Sequence, residues 1–350
     1  MTITDQKPVS APETGRTAPG PVTNAIVRTM RLEAEGVLSL EIEPIPGGAL
    51  PEWQPGAHLD IVLAPGLVRQ YSLCSRPGQP WRVAVLREPA SRGGSEFVHT
   101  ELRPGAVVGI RAPRNNFALA PARSYRFLAG GIGITPILAM AREAEARGVP
   151  WTLDYLGRSR TSMAFMDELL EFGDKVRIHA DDLDGRFDLS AHLEAPARGG
   201  VAYACGPGGL LGALLASAET WPAPDVLHIE RFVAAPAGAS GDVTSVETDS
   251  DGPSAGAVPT EQGSFTVELN DGTALEVPAD KSILQTLEDH GYAPLNSCRE
   301  GICGTCETGV ISGDVDHRDS LLSEDEKADS ETMMICVSRA CGGCRLRLDI

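Results

Sequence analysis

Three cysteines fall within nine residues in the stretch NSCREGICGTCETG: Cys298, Cys303 and Cys306, spaced C-x4-C-x2-C. Thiols this dense are ligands or redox groups, since an ordinary core gives no reason for such a recurrence. Metal and cluster sites usually take four, and the tail ICVSRACGGC offers Cys336, Cys341 and Cys344 as candidates for the last. Two chemistries compete. Paired C-x2-C knuckles, Cys303/Cys306 and Cys341/Cys344, would make a zinc ribbon but leave Cys298 and Cys336 unexplained. The C-x4-C-x2-C…C spacing fits a plant-type [2Fe–2S] cluster, in which each iron takes two cysteines besides the bridging sulfides. Small residues, Gly301, Gly304 and Thr305, stand where backbone N–H groups would approach the sulfurs. The cluster accounts for the three close cysteines and one more, and is the reading carried forward.

Four other motifs bear on chemistry. LAGGIGITP (128–136) is a glycine-rich strand-to-helix turn without G-x-G-x-x-G spacing, so it is not a standard Rossmann turn. Gly130, Gly131 and Gly133 would let a pyrophosphate or nicotinamide approach the backbone, and Pro136 suits a first helical turn. ACGPGG (204–209) is a similar turn after a later strand. RQYSLCS (69–75) puts Arg69 and Tyr71 on one strand face and Ser72 on the other, a set able to hold a flat anionic ring. SRGGSEFVH (91–99) is a glycine turn opening a short helix, whose N–H groups suit a phosphate. Taken singly, the last two are as readily an ordinary strand and an ordinary turn. Cys74 reads as a core thiol and DDLDGRFD (181–188) as a solvated turn. The seven histidines lack H-x3-H or H-E-x-x-H spacing and are assigned no metal.

The elements that must position these residues change character along the chain. VLSLEIEP, HLDIVLA, RQYSLCS, WRVAVLRE and AVVGIRAP are short β-prone runs between tight turns, which predicts a small antiparallel barrel over 24–120. Over 121–233 strands alternate with helices, including SMAFMDELLEF and GLLGALLASAE, which predicts a parallel sheet with ligands at its strand C-termini. Residues 234–263 are rich in Pro, Gly, Ser and Ala and read as a flexible linker. Residues 264–350 open with an Asp-Gly hairpin, continue through the helix SILQTLEDHG and the cysteine loop, and close with the alternating strand CRLRLDI. That alternation puts Cys344 on the core face with Leu346, Leu348 and Ile350, while Cys341 falls in a turn. Residues 1–23 read as a polar, disordered tail.

The chain of 350 residues has a net charge of −18, of which residues 264–350 contribute 7 − 17 = −10. Such an excess argues against nucleic acid or an anionic membrane and suits a basic protein partner. No apolar run is long enough to span a bilayer, and no secretory leader is evident. Eight cysteines without such a leader suggest reduced thiols in the cytoplasm.

In this order the motifs RQYS, GGS, GGIGITP, CGP, NSCREGICGTC, VDHRDSLL and MMICVSRA resemble the phthalate dioxygenase reductase and vanillate O-demethylase reductase family, from about residue 24 to 350. The resemblance implies a multidomain α+β and α/β chain: a flavin-binding antiparallel β-barrel, a nucleotide-binding parallel-sheet domain and a C-terminal β-grasp ferredoxin domain. It implies that Arg69, Tyr71 and Ser72 contact FMN, with the Ser72 hydroxyl near ring N5. Ala84, Val85 and Leu86 would line the ring edge, and Gly93, Gly94 and Ser95 would bind its phosphate. Gly131, Gly133, Thr135 and Pro136, with Cys205, Gly206 and Pro207, would hold the nicotinamide half, and Phe232 would lie close to the flavin. Ser72, Cys205 and Phe232 are the implied catalytic residues. Cys336 is implied as the fourth cluster ligand beside Cys298, Cys303 and Cys306. Ser159 and Arg160 stand where NADH-preferring members tend to place an acidic residue, and such a pair could take a 2′-phosphate. NADH is the expected donor, with NADPH open.

The implied function is electron splitting from NAD(P)H through FMN and the [2Fe–2S] cluster to a terminal oxygenase component, expected to be Rieske-type with a basic docking surface. The chain is expected to be a monomer. The alternatives are a reductase serving another acceptor, such as a soluble P450, and a zinc-containing binding module without enzymatic activity.

Overall fold

The computed structural model describes residues 21–64, 67–89, 93–189, 195–221, 226–232, 263–341 and 345–350. The expected tail (except 21–23), the linker (except Gly263) and Cys344 lie outside them.

The first sheet comprises β1 (Thr23–Ala34), β2 (Val37–Pro44), β3 (His58–Ala64), β4 (Leu67–Ser72), β5 (Trp81–Leu86) and, after helix α1 (Gly94–Thr100), β6 (Val107–Ile110), in the order β4-β3-β6-β1-β2-β5. A bridge between Leu73 and Val83 joins β4 to β5 and closes the sheet into a barrel. Inward positions of alternating strands, Leu40, Ile42, Leu59, Ile61, Val83 and Val85, fill it. Strand β1 was not among the expected runs. Its sequence TNAIVRTMRLEA buries only Ala25 and Val27 fully, and bulges beside Val27 and Leu32 break its alternation.

The second sheet is parallel throughout. It takes β7 (Ser124–Gly130), helix α2 (Ile134–Ala146), β8 (Trp151–Gly157), α3 (Met166–Leu170), β9 (Val176–Ala180), α4 (Asp181–Asp184), β10 (Gly200–Cys205), α5 (Gly208–Ala218) and β11 (Leu227–Glu230). The strand order is β11-β10-β7-β8-β9. The chain reverses direction across the sheet between β7 and β10, the switch point at which open α/β sheets bind ligands. Helix α2 is buried on nearly every side, with Ile134, Ile137, Leu138 and Met140 inaccessible. It is the slab between sheet and barrel, and Ala139 reaches the barrel core. Two expectations shrink here. SMAFMDELLEF is helical only over α3, because Phe165 before it sits at φ 63°, outside the helical region. DDLDGRFD is exposed, as expected of a solvated turn, but opens with the single-turn helix α4.

The third sheet contains β12 (Phe265–Glu268) and β13 (Ala274–Val277), joined by the Asp-Gly turn and followed by helix α6 (Ile283–Asp289). Then come β14 (Glu307–Ser312), β15 (Val315–Asp316), helix α7 (Glu324–Asp329), β16 (Thr332–Met334), β17 (Arg339–Ala340) and β18 (Arg345–Leu348). The order is β13-β12-β18-β14-β16, with β18 parallel to β12 and antiparallel to β14, and β15 pairs with β17. This mixed sheet covered by one helix is the β-grasp arrangement. Reciprocal caps start both helices: Ser282 with Gln285 on α6, and Ser323 with Glu326 on α7.

Candidate active site and cluster loop

The barrel residues come together along β4 and β5. The Leu73–Val83 bridge sets Ser72 opposite Ala84. Ser72, Ala84 and Val85 are buried, while Arg69, Tyr71 and Leu86 are half-buried. Burial pushes the Tyr71 phenol well above its ordinary value, against a smaller opposing effect of Arg69. Gly93 caps α1 at φ 85°, and the Arg69 side chain lies over Gly94, where a Cβ would come within 2.4 Å of it. Ser95 Oγ accepts from the Glu88 N–H at 3.1 Å. The ring motif and the phosphate motif, separated in sequence, therefore share one edge of the barrel.

The two glycine turns interlock at the switch point. A Cβ on Gly133 would stand 2.3 Å from the carbonyl oxygen of Cys205, so only glycine permits this approach. Gly131 sits at φ 53°, Thr135 donates to the Ile132 carbonyl at 3.0 Å, and Pro136 is buried in the first turn of α2. Gly206 and the exposed Pro207 form the facing turn. Strand β5 lies against the Gly131–Gly133 turn, which places the barrel edge at the strand ends. Cys205 is inaccessible, and burial, with the nearby Glu230 second, holds its thiol protonated. Phe232, just beyond β11, is partly exposed.

Ser159 and Arg160 are further along the same rim. The Ser159 hydroxyl is 3.1 Å from Thr161 Oγ1 and donates to Ser162 Oγ at 3.0 Å; Arg160 is exposed. The neighbouring β9 runs directly into α4, which opens with Asp181 and Asp182, and the Asp182 N–H donates to the Arg158 carbonyl at 3.0 Å. Two polar clefts of about 200 and 240 Å³ flank Glu168 on the seam between the first two sheets. Neither contains a glycine-turn or cysteine-loop residue.

The cysteine loop gathers its thiols in contact. Cys303, Cys306 and Cys336 are buried, and Cys298 is half-buried. Cys298 lies within hydrogen-bond reach of Cys303 and Cys336, and Cys336 within reach of Cys306. Cys298, Cys303 and Cys336 titrate together: donation from Cys303 and Cys336 lowers Cys298 and raises its donors in turn. Backbone amides point inward, Glu300 N–H at 3.3 Å from Cys298 Sγ and Thr305 N–H at 3.5 Å from Cys303 Sγ. Gly301 is at φ 69°, and a Cβ there would press to 2.6 Å on Val337 and 3.0 Å on Asp319. Among the described residues no group of three or more His, Cys, Asp or Glu is arranged around a single metal ion. Four thiols in successive contact with amides aimed at sulfur fit a two-iron cluster. Cys341, half-buried, stands apart in a turn, its N–H on the Asp314 carbonyl.

A buried polar junction links these places, and nothing in the spacing of the sequence pointed to it. His58 on β3 pairs with Ser72 on the adjacent strand β4, and its Nδ1 is 4.0 Å from Glu230 Oε1. Burial, then Arg114, lowers His58 to about 3, and burial raises Glu230 to about 8. Arg114 exchanges both backbone hydrogen bonds with His58 at 2.9 Å. Its Nη2 donates to Asp60 Oδ1 at 3.0 Å and to Thr305 Oγ1, on the cysteine loop, at 2.9 Å. Asp60 is itself raised by burial despite Arg114 and Arg111 beside it. His58 Nε2, Glu230 Oε2 and Arg114 Nη1 are buried atoms without a hydrogen-bond partner. Unsatisfied donors and acceptors at such a junction suit a polar ring that would complete them.

A closed barrel, a parallel sheet with glycine turns at its switch point and a four-cysteine β-grasp unit together define an NAD(P)H-dependent flavin and iron–sulfur electron-transfer reductase. Residues 267–341 match the family described as 2Fe-2S iron-sulfur cluster binding domain. The vanillate O-demethylase oxidoreductase of Pseudomonas sp. (strain HR199 / DSM 7063) is 43% identical over 93% of this chain and 99% of its own length. The structure of phthalate dioxygenase reductase, described as modular for electron transfer from pyridine nucleotides to [2Fe–2S], superposes with a TM-score of 0.67 at 34% identity, covering 94% of this chain and 98% of that one. An intact type IV self-sufficient cytochrome P450 monooxygenase gives a TM-score of 0.79 at 38% identity over 99% of this chain, which spans only 43% of that larger protein. The chain belongs to the phthalate dioxygenase reductase and vanillate O-demethylase oxidoreductase family, as its motif order implied. That membership sets aside the zinc-containing, non-enzymatic alternative.

Proposed function

We propose that this protein takes hydride from NADH at the interlocked glycine turns and passes single electrons to a [2Fe–2S] cluster on Cys298, Cys303, Cys306 and Cys336, for delivery to a terminal oxygenase. Bound FMN supplies the conversion of one hydride into two one-electron transfers. The observation that carries the reading is the junction of His58, Ser72, Glu230 and Arg114, where barrel, nucleotide turns and cysteine loop meet.

Residues 24–120 would hold the flavin, 121–233 the nucleotide and 264–350 the cluster. Ser72, buried on β4, would place its hydroxyl at the flavin ring, with Ala84, Val85 and Leu86 along the edge and Arg69, Gly93, Gly94 and Ser95 at the phosphate. Gly131, Gly133, Thr135, Pro136, Gly206 and Pro207 would seat the nicotinamide half. Cys205, kept neutral by burial, would press on the ring without competing for the hydride. Phe232 would cover the flavin until the nucleotide displaces it. The acidic start of α4, just after β9 and beside Ser159 and Arg160, supports NADH over NADPH, since Asp181 and Asp182 would repel a 2′-phosphate. FMN is favoured over FAD by the family resemblance and by the absence of a separate adenine-binding motif in the sequence.

The acidic third unit would dock a basic patch on a Rieske-type oxygenase in the cytoplasm, with the reductase itself a monomer. The likeness to part of a self-sufficient cytochrome P450 monooxygenase favours one second reading, in which the acceptor is a P450. Purified protein should carry one extractable FMN and two irons per chain, and kcat/KM should be higher with NADH than with NADPH. Flavin-free or iron-free protein sinks the reading. FAD in the extract, or a preference for NADPH, removes the corresponding assignment. A pulldown from the native host decides between oxygenase and P450.

A further inference from the structure

We propose that Arg114 is a positioning residue that docks the cysteine loop on the barrel and, through Thr305, polarises the Cys303 sulfur only while the two are docked. The inference rests on the reading of the preceding section.

Arg114 is held before it reaches the third unit. Its backbone exchanges two 2.9 Å hydrogen bonds with His58, and its guanidinium is anchored on Asp60, whose carboxylate is inaccessible. The same Nη2 that bonds Asp60 at 3.0 Å donates to Thr305 Oγ1 at 2.9 Å. Thr305 is buried, and its Oγ1 lies 3.2 Å from Cys303 Sγ. A hydroxyl has one proton to give. With Arg114 occupying an acceptor lone pair, that proton is free to point at Cys303, and a ligating thiolate accepts it. The chain Asp60, Arg114, Thr305, Cys303 thus runs from the barrel interior to a cluster sulfur. The neighbouring residue marks the same approach of the two loops: a Cβ on Gly304 would stand 3.9 Å from Asn116 Nδ2, two residues beyond Arg114. Hydrogen bonds to sulfur are among the factors that set cluster potential, and they favour the reduced, more negative state. A cation behind the hydroxyl strengthens that bond.

The arrangement has a direction. Docked on the barrel, the relay is complete and the cluster accepts an electron more readily. Lifted from the barrel to face a partner, Thr305 loses Arg114, the potential falls and release is favoured. Lysine replaces arginine only in part, because a mobile ammonium lacks the planar guanidinium that holds one nitrogen between Asp60 and Thr305.

The test is an EPR-monitored redox titration of the full-length holoenzyme, with stopped-flow reduction of the cluster by NADH. Arg114→Met and Thr305→Val should each shift the flavin-to-cluster equilibrium about three- to tenfold against the cluster, tenfold being about 59 mV for one electron. The double variant should shift no further than the larger single one, because both break one relay. Thr305→Ser should restore the wild-type value, and Arg114→Lys should fall between wild type and Arg114→Met. An unchanged potential in Arg114→Met, or in Arg114→Lys should the methionine variant not fold, overturns the proposal. So does an additive double variant. Wild-type protein lacking flavin absorbance or a reduced-cluster signal sinks the underlying function, whereas a loaded wild type with unshifted Arg114 variants sinks the relay alone.

Discussion

The barrel makes two interfaces, and they are built differently. Against the parallel sheet it shares apolar core: Val37, Cys74, Ala84 and Phe117 pack in one cluster with Phe127, Ile137, Tyr155 and Cys205. Glu168 on α3 adds a buttress, accepting from Arg82 at 2.7 Å and 3.0 Å and also from Arg142. Against the third unit the barrel shares no apolar cluster among the described residues. The core of that unit draws only on residues 265–350, and the bridge described is the polar contact of Arg114 with Thr305. One charge-assisted hydrogen bond is worth about 2 kcal/mol, whereas each fully buried aliphatic side chain contributes about as much on its own. Two stations that must keep a hydride in line are fused through a core. The station that must give its electron away is held by contacts that can be exchanged.

The sharpest way to use that contrast is to empty one side. Cys336→Ser should abolish the iron–sulfur absorbance while flavin content and NADH-driven flavin reduction persist, because among the described residues no apolar cluster ties the third core to the other two. Cys341→Ser should leave the spectrum intact. Loss of iron from Cys341→Ser would move the fourth ligand assignment.

The fused interface can be broken at Glu168. Glu168→Ala leaves Arg82 and Arg142 facing each other without their carboxylate, both largely buried. Removing one partner of such a group costs about 3 kcal/mol. Urea unfolding followed by tryptophan fluorescence should show a lower midpoint for the first two units, with the iron–sulfur absorbance of the third lost separately. A single, unshifted transition would contradict the division.

A smaller effect comes from the buried pair at the junction. Folded Glu230 titrates near 8 against an ordinary 4.5, so it holds a proton the unfolded chain releases and stability falls as pH rises between those values. Folded His58 titrates near 3 against an ordinary 6.5, so the unfolded chain binds the extra proton and stability rises with pH across that window. Between 4.5 and 6.5 the two slopes oppose and cancel. Above 6.5 only the fall from Glu230 remains, about 2 kcal/mol by pH 8 at about 1.4 kcal/mol per unit. Glu230→Gln should abolish that alkaline fall and expose a rising limb below 6.5, read from urea midpoints in the cofactor-free protein. A profile unchanged by the substitution would refute a Glu230 carboxyl kept protonated by burial.

The gentlest probe is salt. Reduction of a basic acceptor such as cytochrome c should slow as NaCl is raised, since residues 264–350 carry a net −10. The internal reduction of the cluster should change little, because Arg114 and Asp60 are screened by burial rather than by ions. Equal salt dependence of both steps would mean that the internal contact is as exposed as the external one.

What was legible in the sequence was local. C-x4-C-x2-C, GGIGITP and CGP each compress their geometry into a few residues, and the structure brings them to a switch point and a thiol cluster. Strand β1 was missed because its bulges scatter the alternation that signals a strand. Arg114 and Thr305, 191 residues apart, carry no periodicity or spacing at all. His58 and Glu230 were silent for the same reason: their meaning lies in a contact between sheets, and a lone buried histidine looks like any other. Phe165, whose φ of 63° cuts SMAFMDELLEF short, shows the opposite failure, a helical pattern overruled by one backbone angle.

Strand β18 lies at the centre of the third sheet, between β12 and β14, yet follows every other strand of that sheet in sequence. On the ribosome the barrel and the parallel sheet can therefore close while the cysteine loop waits for its last structural neighbour. A chain cut short before residue 345 keeps all four thiols but lacks the strand that seats them. Iron would then be offered to an unfinished scaffold, so a stable cluster site requires β18 to be in place between β12 and β14.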